Sequence, residues 1–161
     1  MVVIDIQNDI TKHYKDIIDH LNSAIDWAVD QGIPVVYIRH EILSEHARKF
    51  LPGTPGVELV PELRVVSDLD FVKHKGSALT SEEFSAYVEE AEIEEFYVTG
   101  ADATQCVKST CFNMRKAGYE VVVLADCIAS WDPKKIPEML RYYESKGCRV
   151  MRSDELPAGR S

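Results

Sequence analysis

Short apolar runs, rich in β-branched and aromatic residues, alternate along this chain with longer segments whose apolar residues recur at helical spacing. Strands that are apolar on both faces are typical of a parallel sheet covered by helices on both sides. Six strands are predicted: Val2–Ile6, Pro34–Ile38, Asp70–Lys73, Phe96–Thr99, Val121–Leu124 and Arg149–Met151. Because a repeated strand-helix order gives right-handed crossovers, we expect a three-layer α/β sandwich with an open, mainly parallel six-stranded sheet and helices on both faces.

Four helices are predicted between the strands from their apolar stripes and their end signals. The stripes contain, in chain order, Ile17, Leu21, Ile25 and Ala28; Phe84, Tyr87 and Val88; Val107, Cys111 and Met114; and Ile136, Met139, Leu140 and Tyr143. The second helix is expected to open with a capping box from Thr80 to Glu83, and the third to begin around Thr104. Asp132 is the expected N-cap of the last helix, with Pro133 at its first position.

The chain is expected to form a single domain, residues 1–161, because neither an internal repeat nor a change in composition divides it. A long segment between His40 and Leu69 is rich in proline and glycine and has no convincing period. Irregular segments of this length inside a domain are usually binding loops or lids. The polar tail from Ser153 to Ser161 is expected to be loosely ordered or used in assembly.

Composition narrows the possible partners. The 161 residues, 45% of them hydrophobic, suffice for a buried core, and 27 acidic against 18 basic residues give a net charge of −9. An acidic surface repels phosphate backbones and anionic lipids, so neither nucleic acid nor a membrane is an expected partner. No basic leader precedes the first apolar run, which favours a cytoplasmic protein. The four cysteines form no Cys-x-x-Cys pair, so free thiols are expected.

Three reactive side chains are expected at one edge of the sheet, because the ligand crevice of an open parallel sheet lies beyond the carboxyl ends of its strands. Asp5 lies at the end of the first predicted strand, Lys73 at the end of the third, and Cys106 shortly after the fourth. Each alone has an ordinary structural interpretation, as a turn residue, a solvated lysine or a buried thiol. A carboxylate, an ammonium and a thiol at one edge together indicate a reactive site.

Cys106 is the candidate nucleophile because it lies in the first turn of a predicted helix. Free N–H groups and the helix dipole favour a thiolate there, and the Lys73 ammonium acts in the same direction. Asp5 would accept the thiol proton and later donate it to a leaving amine, while Lys73 orients the carboxylate. Backbone N–H groups of this turn, including that of Cys106, could hold an oxyanion. The predicted reaction class is acyl transfer through a thioester.

Four separated motifs extend this interpretation: VIDIQND at 3–9, PGTPG at 52–56, KHKGSAL at 73–79 and TGADATQCV at 99–107, continued by matches at 118–121 and 125–126. In order and spacing they resemble the isochorismatase-like cysteine hydrolases, a superfamily that includes nicotinamidases and carbamoylsarcosine amidohydrolase. The resemblance covers nearly the whole chain. It implies a Rossmann-like, isochorismatase-like fold and hydrolysis of a small amide or carbamoyl compound. It also implies that no organic cofactor is needed and that the chain forms a homo-oligomer.

The resemblance also implies roles for individual residues. Asp5, Lys73 and Cys106 fall on the Asp-Lys-Cys triad of the superfamily. A cis peptide bond before the nucleophile corresponds to Ala101–Asp102, and it would turn the Asp102 N–H toward the oxyanion beside that of Cys106. An acidic side chain is atypical at Asp102, and we expect it to point outward or to bind a donor group of the substrate.

Two further residues are weaker candidates for the substrate pocket. Gln7 follows the first strand and could form hydrogen bonds in the crevice, or it could be a structural amide. Trp131 could form the wall of an aromatic pocket, or it could pack over the last helix.

No metal is expected. The metal-dependent nicotinamidases of the superfamily carry an Asp-x-His motif after the second strand, where this chain has Arg39–Glu41. A cation beside one imidazole is a poor metal site, so His40 and His46 are expected in structural or surface roles.

Alternatives remain at this point. A phosphoacceptor receiver module would need an acidic residue after the third strand and a lysine at the fifth, where this chain has Lys73 and Asp126. The superfamily members that hydrolyse isochorismate lack the nucleophilic cysteine, so Cys106 favours amide or carbamoyl chemistry. A metal-poor nicotinamidase-type enzyme and a catalytically silent member with an assembly or interaction role both stay open.

Overall fold

One open sheet of six strands organises the part of the chain that the computed structural model describes, residues 1–10 and 12–157. The strands are β1 Val2–Ile4, β2 Val36–His40, β3 Asp70–Lys73, β4 Glu95–Ala101, β5 Glu120–Ala129 and β6 Arg149–Met151, in the spatial order β3-β2-β1-β4-β5-β6. The helices are α1 Ile18–Asp30, α2 Glu82–Glu90, α3 Cys106–Lys116 and α4 Ile136–Ser145. All neighbouring strands are parallel, and the predicted three-layer α/β fold is confirmed.

Both faces of the sheet are buried under apolar side chains. Val2 and Ile4 of β1 pack with residues of α2, α3 and α4, whereas Val3 points to the opposite face and packs with α1. Burial on both faces explains why the strands are nearly continuous apolar runs. Among the described residues, no helix combines the length and the apolar character needed to cross a bilayer.

The first two strands end at different residues from those predicted. β1 stops two residues early, at Ile4, because Asp5 adopts a left-handed backbone conformation with φ 55°. β2 is displaced by two residues toward the C-terminus. It excludes Pro34, which has no N–H for the ladder, and it includes His40, which is the register partner of Lys73.

β4 and β5 are longer than predicted. β5 continues five residues beyond Leu124, through the polar Asp126, and the last pair of the ladder joins Ala101 to Ala129. The sequence predicted that this strand ends at Leu124, before Asp126, whose carboxylate is an unusual group in a buried strand. In the structure Ser153 satisfies this carboxylate, donating its N–H over 2.8 Å and its hydroxyl over 2.6 Å.

The predicted capping box from Thr80 to Glu83 is wrong. Ser81 is the N-cap of α2, and its hydroxyl accepts the N–H of Phe84. Thr80 instead belongs to a short 3-10 turn, in which its hydroxyl donates to the Ser77 carbonyl over 2.6 Å. Thr80 and Ser81 are both residue types that commonly cap helices. Because Thr80 takes part in the preceding turn, Ser81 is the residue that caps α2.

The starts of the last two helices depend on nearby carboxylates. α3 begins at Cys106 rather than around Thr104, because the Asp102 side chain accepts the Thr104 N–H and holds that residue in a turn. Asp132 caps as predicted, accepting the N–H of Lys134. The segment that it caps is a short 3-10 turn that leads into α4.

The described part of the C-terminal tail is tied to the domain. Ser153 binds Asp126 of β5, and the Trp27 indole N–H donates to the Pro157 carbonyl over 2.7 Å. Residues 158–161 of the predicted loose tail lie outside the described residues.

Gly100 lies where β4 passes β1, with φ +117°, and a Cβ at this position would overlap the Ile4 carbonyl oxygen. We therefore expect Gly100→Ala to lower the free energy of unfolding by about 3 kcal/mol, measured by urea denaturation. Gly32 is the matched control, because it also has positive φ but no atom lies within 4 Å of the added Cβ. Gly32→Ala should cost about 1 kcal/mol. Equal losses in the two variants would contradict the close approach of the strands.

Candidate active site

The three side chains that the sequence places at the sheet edge meet in the structure. The chain runs from β1 through β2 to β3 and then returns to the other side of β1 as β4, so the strand order reverses between β1 and β4. Ligand crevices of open sheets form at such a reversal. Asp5 follows β1 directly, Lys73 ends β3 and Cys106 begins α3. Lys73 Nζ lies 3.0 Å from Asp5 Oδ2 and 3.4 Å from Cys106 Sγ.

Lys73 and Asp5 form a buried ion pair. Asp5 is 3% and Lys73 1% exposed. The ammonium has three acceptors, because it also donates to the Lys75 carbonyl over 3.1 Å. A buried ammonium is stable only when its donors are satisfied, so these contacts hold the amine between the carboxylate and the sulfur.

Cys106 is a neutral thiol in the resting site. Burial, together with the nearby Asp5 carboxylate, raises the pKa of Cys106 to about 12, although Lys73 acts in the opposite direction. The thiolate expected from the helix terminus is therefore wrong for the resting state, because desolvation and the neighbouring carboxylate outweigh the helix dipole and the ammonium. All four cysteines are free thiols, as predicted.

One carboxylate oxygen of Asp5 has no hydrogen-bond partner among the described residues. This oxygen, Oδ1, is buried. A carboxylate oxygen of Asp5 and the sulfur of Cys106 lie within 4.8 Å of each other. Burial raises the pKa of Asp5, and Lys73 lowers it. A desolvated carboxylate with a free oxygen is a suitable proton acceptor.

The loop before α3 leaves two backbone N–H groups available to a ligand. The Ala101–Asp102 peptide bond is cis. Gln105 and Val107 both donate their N–H groups to the Asp102 carbonyl, over 3.0 and 3.1 Å. The N–H groups of Asp102 and Cys106 donate to no residue in the described part of the chain. They are the two donors expected to bind an oxyanion: that of Cys106 from its place in the first turn of the helix, and that of Asp102 from the family resemblance.

The Asp102 carboxylate is engaged by the protein. Oδ1 accepts the N–H and the hydroxyl of Thr104, each over 2.8 Å, and Oδ2 accepts the Trp131 N–H over 2.8 Å. These bonds tie the loop before α3 to the segment after β5. The side chain thus stabilises the shape of the loop.

A cavity of about 420 Å³ opens at this site. Its apolar and aromatic wall consists of Ile10, Tyr14, Ile42, Phe50, Ala101, Ala129 and Trp131. Trp131 is 58% exposed and lies at the mouth.

Gln7 does not line the cavity. It is fully buried, its amide nitrogen donates to the His40 and Val57 carbonyls, and its oxygen accepts the His40 N–H over 2.8 Å. The structure therefore gives Gln7 the structural role and corrects the weaker prediction of a pocket role.

The sequence did not identify His40 as part of the site. Its Nδ1 lies 3.9 Å from Cys106 Sγ and 3.8 Å from Asp5 Oδ2, and its ring stacks on Phe50 at 5.5 Å between centroids. Burial, together with Lys73, lowers the pKa of His40 to about 4, so the imidazole is neutral at neutral pH. The signal that could have found it is its place at the end of β2, beside β1. His46, in contrast, is a surface residue.

A metal at this site fits poorly. Asp5, His40 and Cys106 present donor atoms within 4.8 Å of one another. The Lys73 ammonium, however, already contacts two of these three donors. A divalent cation would face this ammonium at close range, which is electrostatically unfavourable. The absence of a metal stays a prediction.

Part of the cavity wall comes from the predicted binding loop. The Phe50 N–H donates to Asp9 Oδ2 over 2.7 Å, and Asn8 donates its side-chain amide to the Pro55 carbonyl. The segment after β1 thus anchors the loop that carries Phe50 over the site.

Comparison with known proteins identifies the family. The model of the isochorismatase domain matches residues 1–155, and the chain belongs to this family. The isochorismatase family protein YddQ of Bacillus subtilis, which is uncharacterised, is 26% identical over 138 residues, covering 81% of this chain and 77% of YddQ. These matches confirm the resemblance seen in the motifs.

Solved structures share the fold. An isochorismatase-like hydrolase from Alkaliphilus metalliredigens is 24% identical, with a TM-score of 0.88 over 96% of this chain and 94% of that protein. N-carbamoylsarcosine amidase from Thermoplasma acidophilum is also 24% identical, with a TM-score of 0.85 over 98% of this chain and 97% of the amidase.

Proposed function

We propose that this member of the isochorismatase family is a cysteine hydrolase that cleaves the C–N bond of a small amide or carbamoyl compound. The observation that carries the proposal is the contact of one buried ammonium, Lys73, with both the Asp5 carboxylate and the Cys106 sulfur at the cavity. The fold shared with an N-carbamoylsarcosine amidase supports this substrate class.

In the first half-reaction, the sulfur of Cys106 attacks the carbonyl carbon of the substrate while its proton passes to Asp5. Because the resting thiol is neutral, this transfer accompanies S–C bond formation. The oxyanion accepts hydrogen bonds from the N–H groups of Asp102 and Cys106. The C–N bond then breaks, Asp5 returns the proton to the leaving nitrogen, and ammonia or an amine departs from a thioester.

In the second half-reaction, water attacks the thioester and gives a proton to Asp5. The S–C bond breaks, and the sulfur recovers this proton as the acid product leaves. One water is consumed, and Asp5 and Cys106 return to their starting states. Throughout, Lys73 compensates the changing charge on the carboxylate and the sulfur. No organic cofactor takes part, and a cytoplasmic homo-oligomer remains the expected form of the protein.

The test is an ammonia-release screen over nicotinamide, carbamoylated amines, ureido acids and simple amides. Cys106→Ala should lower the rate at least about a thousandfold, because alanine has no atom that can attack the carbonyl carbon. Mass spectrometry of rapidly quenched mixtures should detect an acyl group on Cys106. Cys111→Ala, which removes a buried thiol of the same helix, should retain turnover.

The same screen separates the alternatives. Equal rates with and without the Cys106 thiol would remove the mechanism. Activity confined to nicotinamide would favour the metal-poor nicotinamidase. No turnover and no acyl-enzyme with any class would favour a catalytically silent assembly protein.

A further inference from the structure

Lys49 extends the active-site wall with a positive charge that the proposed chemistry does not use. It lies in the loop between β2 and β3, lines the cavity and is exposed to solvent. Its Nζ lies 5.5 Å from the centroid of the Phe50 ring. Phe50 in turn stacks on His40, whose Nδ1 is 3.9 Å from Cys106 Sγ. One continuous wall therefore connects the nucleophile to this ammonium.

Lys49 has no carboxylate partner among the described residues. The chain carries 27 acidic residues, so a shortage of acids does not explain why none of them pairs with Lys49. The acids that line the cavity are committed elsewhere, Asp5 to Lys73 and Asp102 to three hydrogen bonds. Lys49 is thus a cation of the cavity wall that has no carboxylate within salt-bridge distance among the described residues.

The positive charge of Lys49 also acts on two side chains inside the site. Its electrostatic effect lowers the pKa of both Asp5 and His40. Because Lys49 and Cys106 line the same cavity, a negative group bound at Lys49 would share this cavity with the nucleophile.

We propose that the substrate carries a carboxylate that binds Lys49 while its amide or carbamoyl group reaches Cys106. This inference rests on the proposed function. A carboxylate fits better than a phosphate, because the subsite offers one ammonium beside aromatic and apolar groups rather than several converging donors. The ring of Phe50, between the two ends, packs against the carbon atoms that join them. The expected substrates are amido or ureido acids with a short apolar linker.

Pairs of substrates that differ in the presence of a carboxylate test whether Lys49 binds that group. Ureido acids of increasing chain length are compared with the corresponding ureido alcohols, which are neutral and nearly the same length. Lys49→Met should lower kcat/KM for the acids about fivefold and leave the alcohols unchanged, whereas Lys49→Arg should retain the preference. Arg48→Met removes the same charge from the neighbouring exposed residue, which does not line the cavity, and should change neither. Equal effects on acids and alcohols would overturn the proposal.

A second measurement does not require turnover. Cys106 is alkylated by iodoacetate and by iodoacetamide at one fixed, mildly alkaline pH, and the ratio of the two rates is taken. Lys49→Met should lower this ratio about fivefold, and Arg48→Met should not change it. An unchanged ratio in Lys49→Met would overturn the subsite. Failure of the proposed function is distinguishable, because it would abolish turnover of acids and alcohols alike.

Discussion

Asp5→Asn is expected to lower turnover by about 10²- to 10⁴-fold and, at the same time, to make Cys106 react with iodoacetamide at lower pH. The first effect follows because asparagine cannot accept the thiol proton. The second follows because the Asp5 carboxylate raises the pKa of Cys106, which is about 12 in the native site. Removing that charge leaves Lys73 in contact with the sulfur, so the pKa of the thiol falls.

The two effects are measured as the rate of ammonia release and as the pH profile of Cys106 alkylation. Asp126→Asn is the control, because it makes the same chemical change at a carboxylate of similar exposure, bound to Ser153. It should alter neither measurement. If Asp5 had only a structural role, Asp5→Asn would lower both the rate of ammonia release and the rate of Cys106 alkylation, and the alkylation profile would not move toward lower pH. That result would contradict the proton transfer.

Lys73→Met is expected to abolish turnover and to lower the free energy of unfolding by about 3 to 5 kcal/mol near neutral pH. The substitution leaves the Asp5 carboxylate buried without its cation. Burial already raises the pKa of Asp5, and Lys73 is the main influence that lowers it. In the variant, the pKa of Asp5 in the folded state therefore lies further above its value in the unfolded chain.

The loss of stability should depend on pH. A carboxyl group whose pKa is raised in the folded state contributes stability below its unfolded pKa of about 3.9, and this contribution is lost as the pH rises through the folded pKa. Urea denaturation should therefore show a smaller difference from the native protein at about pH 5 than at about pH 8. In the double variant Asp5→Asn/Lys73→Met, much of the stability should return. Equal losses at both pH values, with no recovery in the double variant, would contradict a buried ion pair.

The order of strands and helices could be predicted from the sequence because it depends on local periodicity. Apolar runs such as that of β1 are buried on both faces, and helix stripes recur every three or four residues. The positions of Asp5, Lys73 and Cys106 after particular strands followed from the same pattern. Parallel strands have their carboxyl ends at one edge, so a sequence reading could place these residues near one another.

The boundaries of the strands were predicted less accurately, because they depend on pairing between segments that are distant in the sequence. β2 continues to His40 only because β3 lies beside it, and β5 continues past Asp126 because Ser153 binds that carboxylate. The choice of Ser81 over Thr80 as helix cap likewise depends on the turn before α2.

The sequence by itself determined the fold class, the family and three candidate catalytic residues. Local periodicity and motif spacing are properties of the residue order alone, so they can be recognised without the tertiary structure. Only the tertiary structure decided that Cys106 is a neutral thiol, that His40 faces it and that Lys49 lines the cavity without a carboxylate partner among the described residues. These properties depend on desolvation and on charges brought together from distant segments, and both arise only when the strands assemble into one sheet.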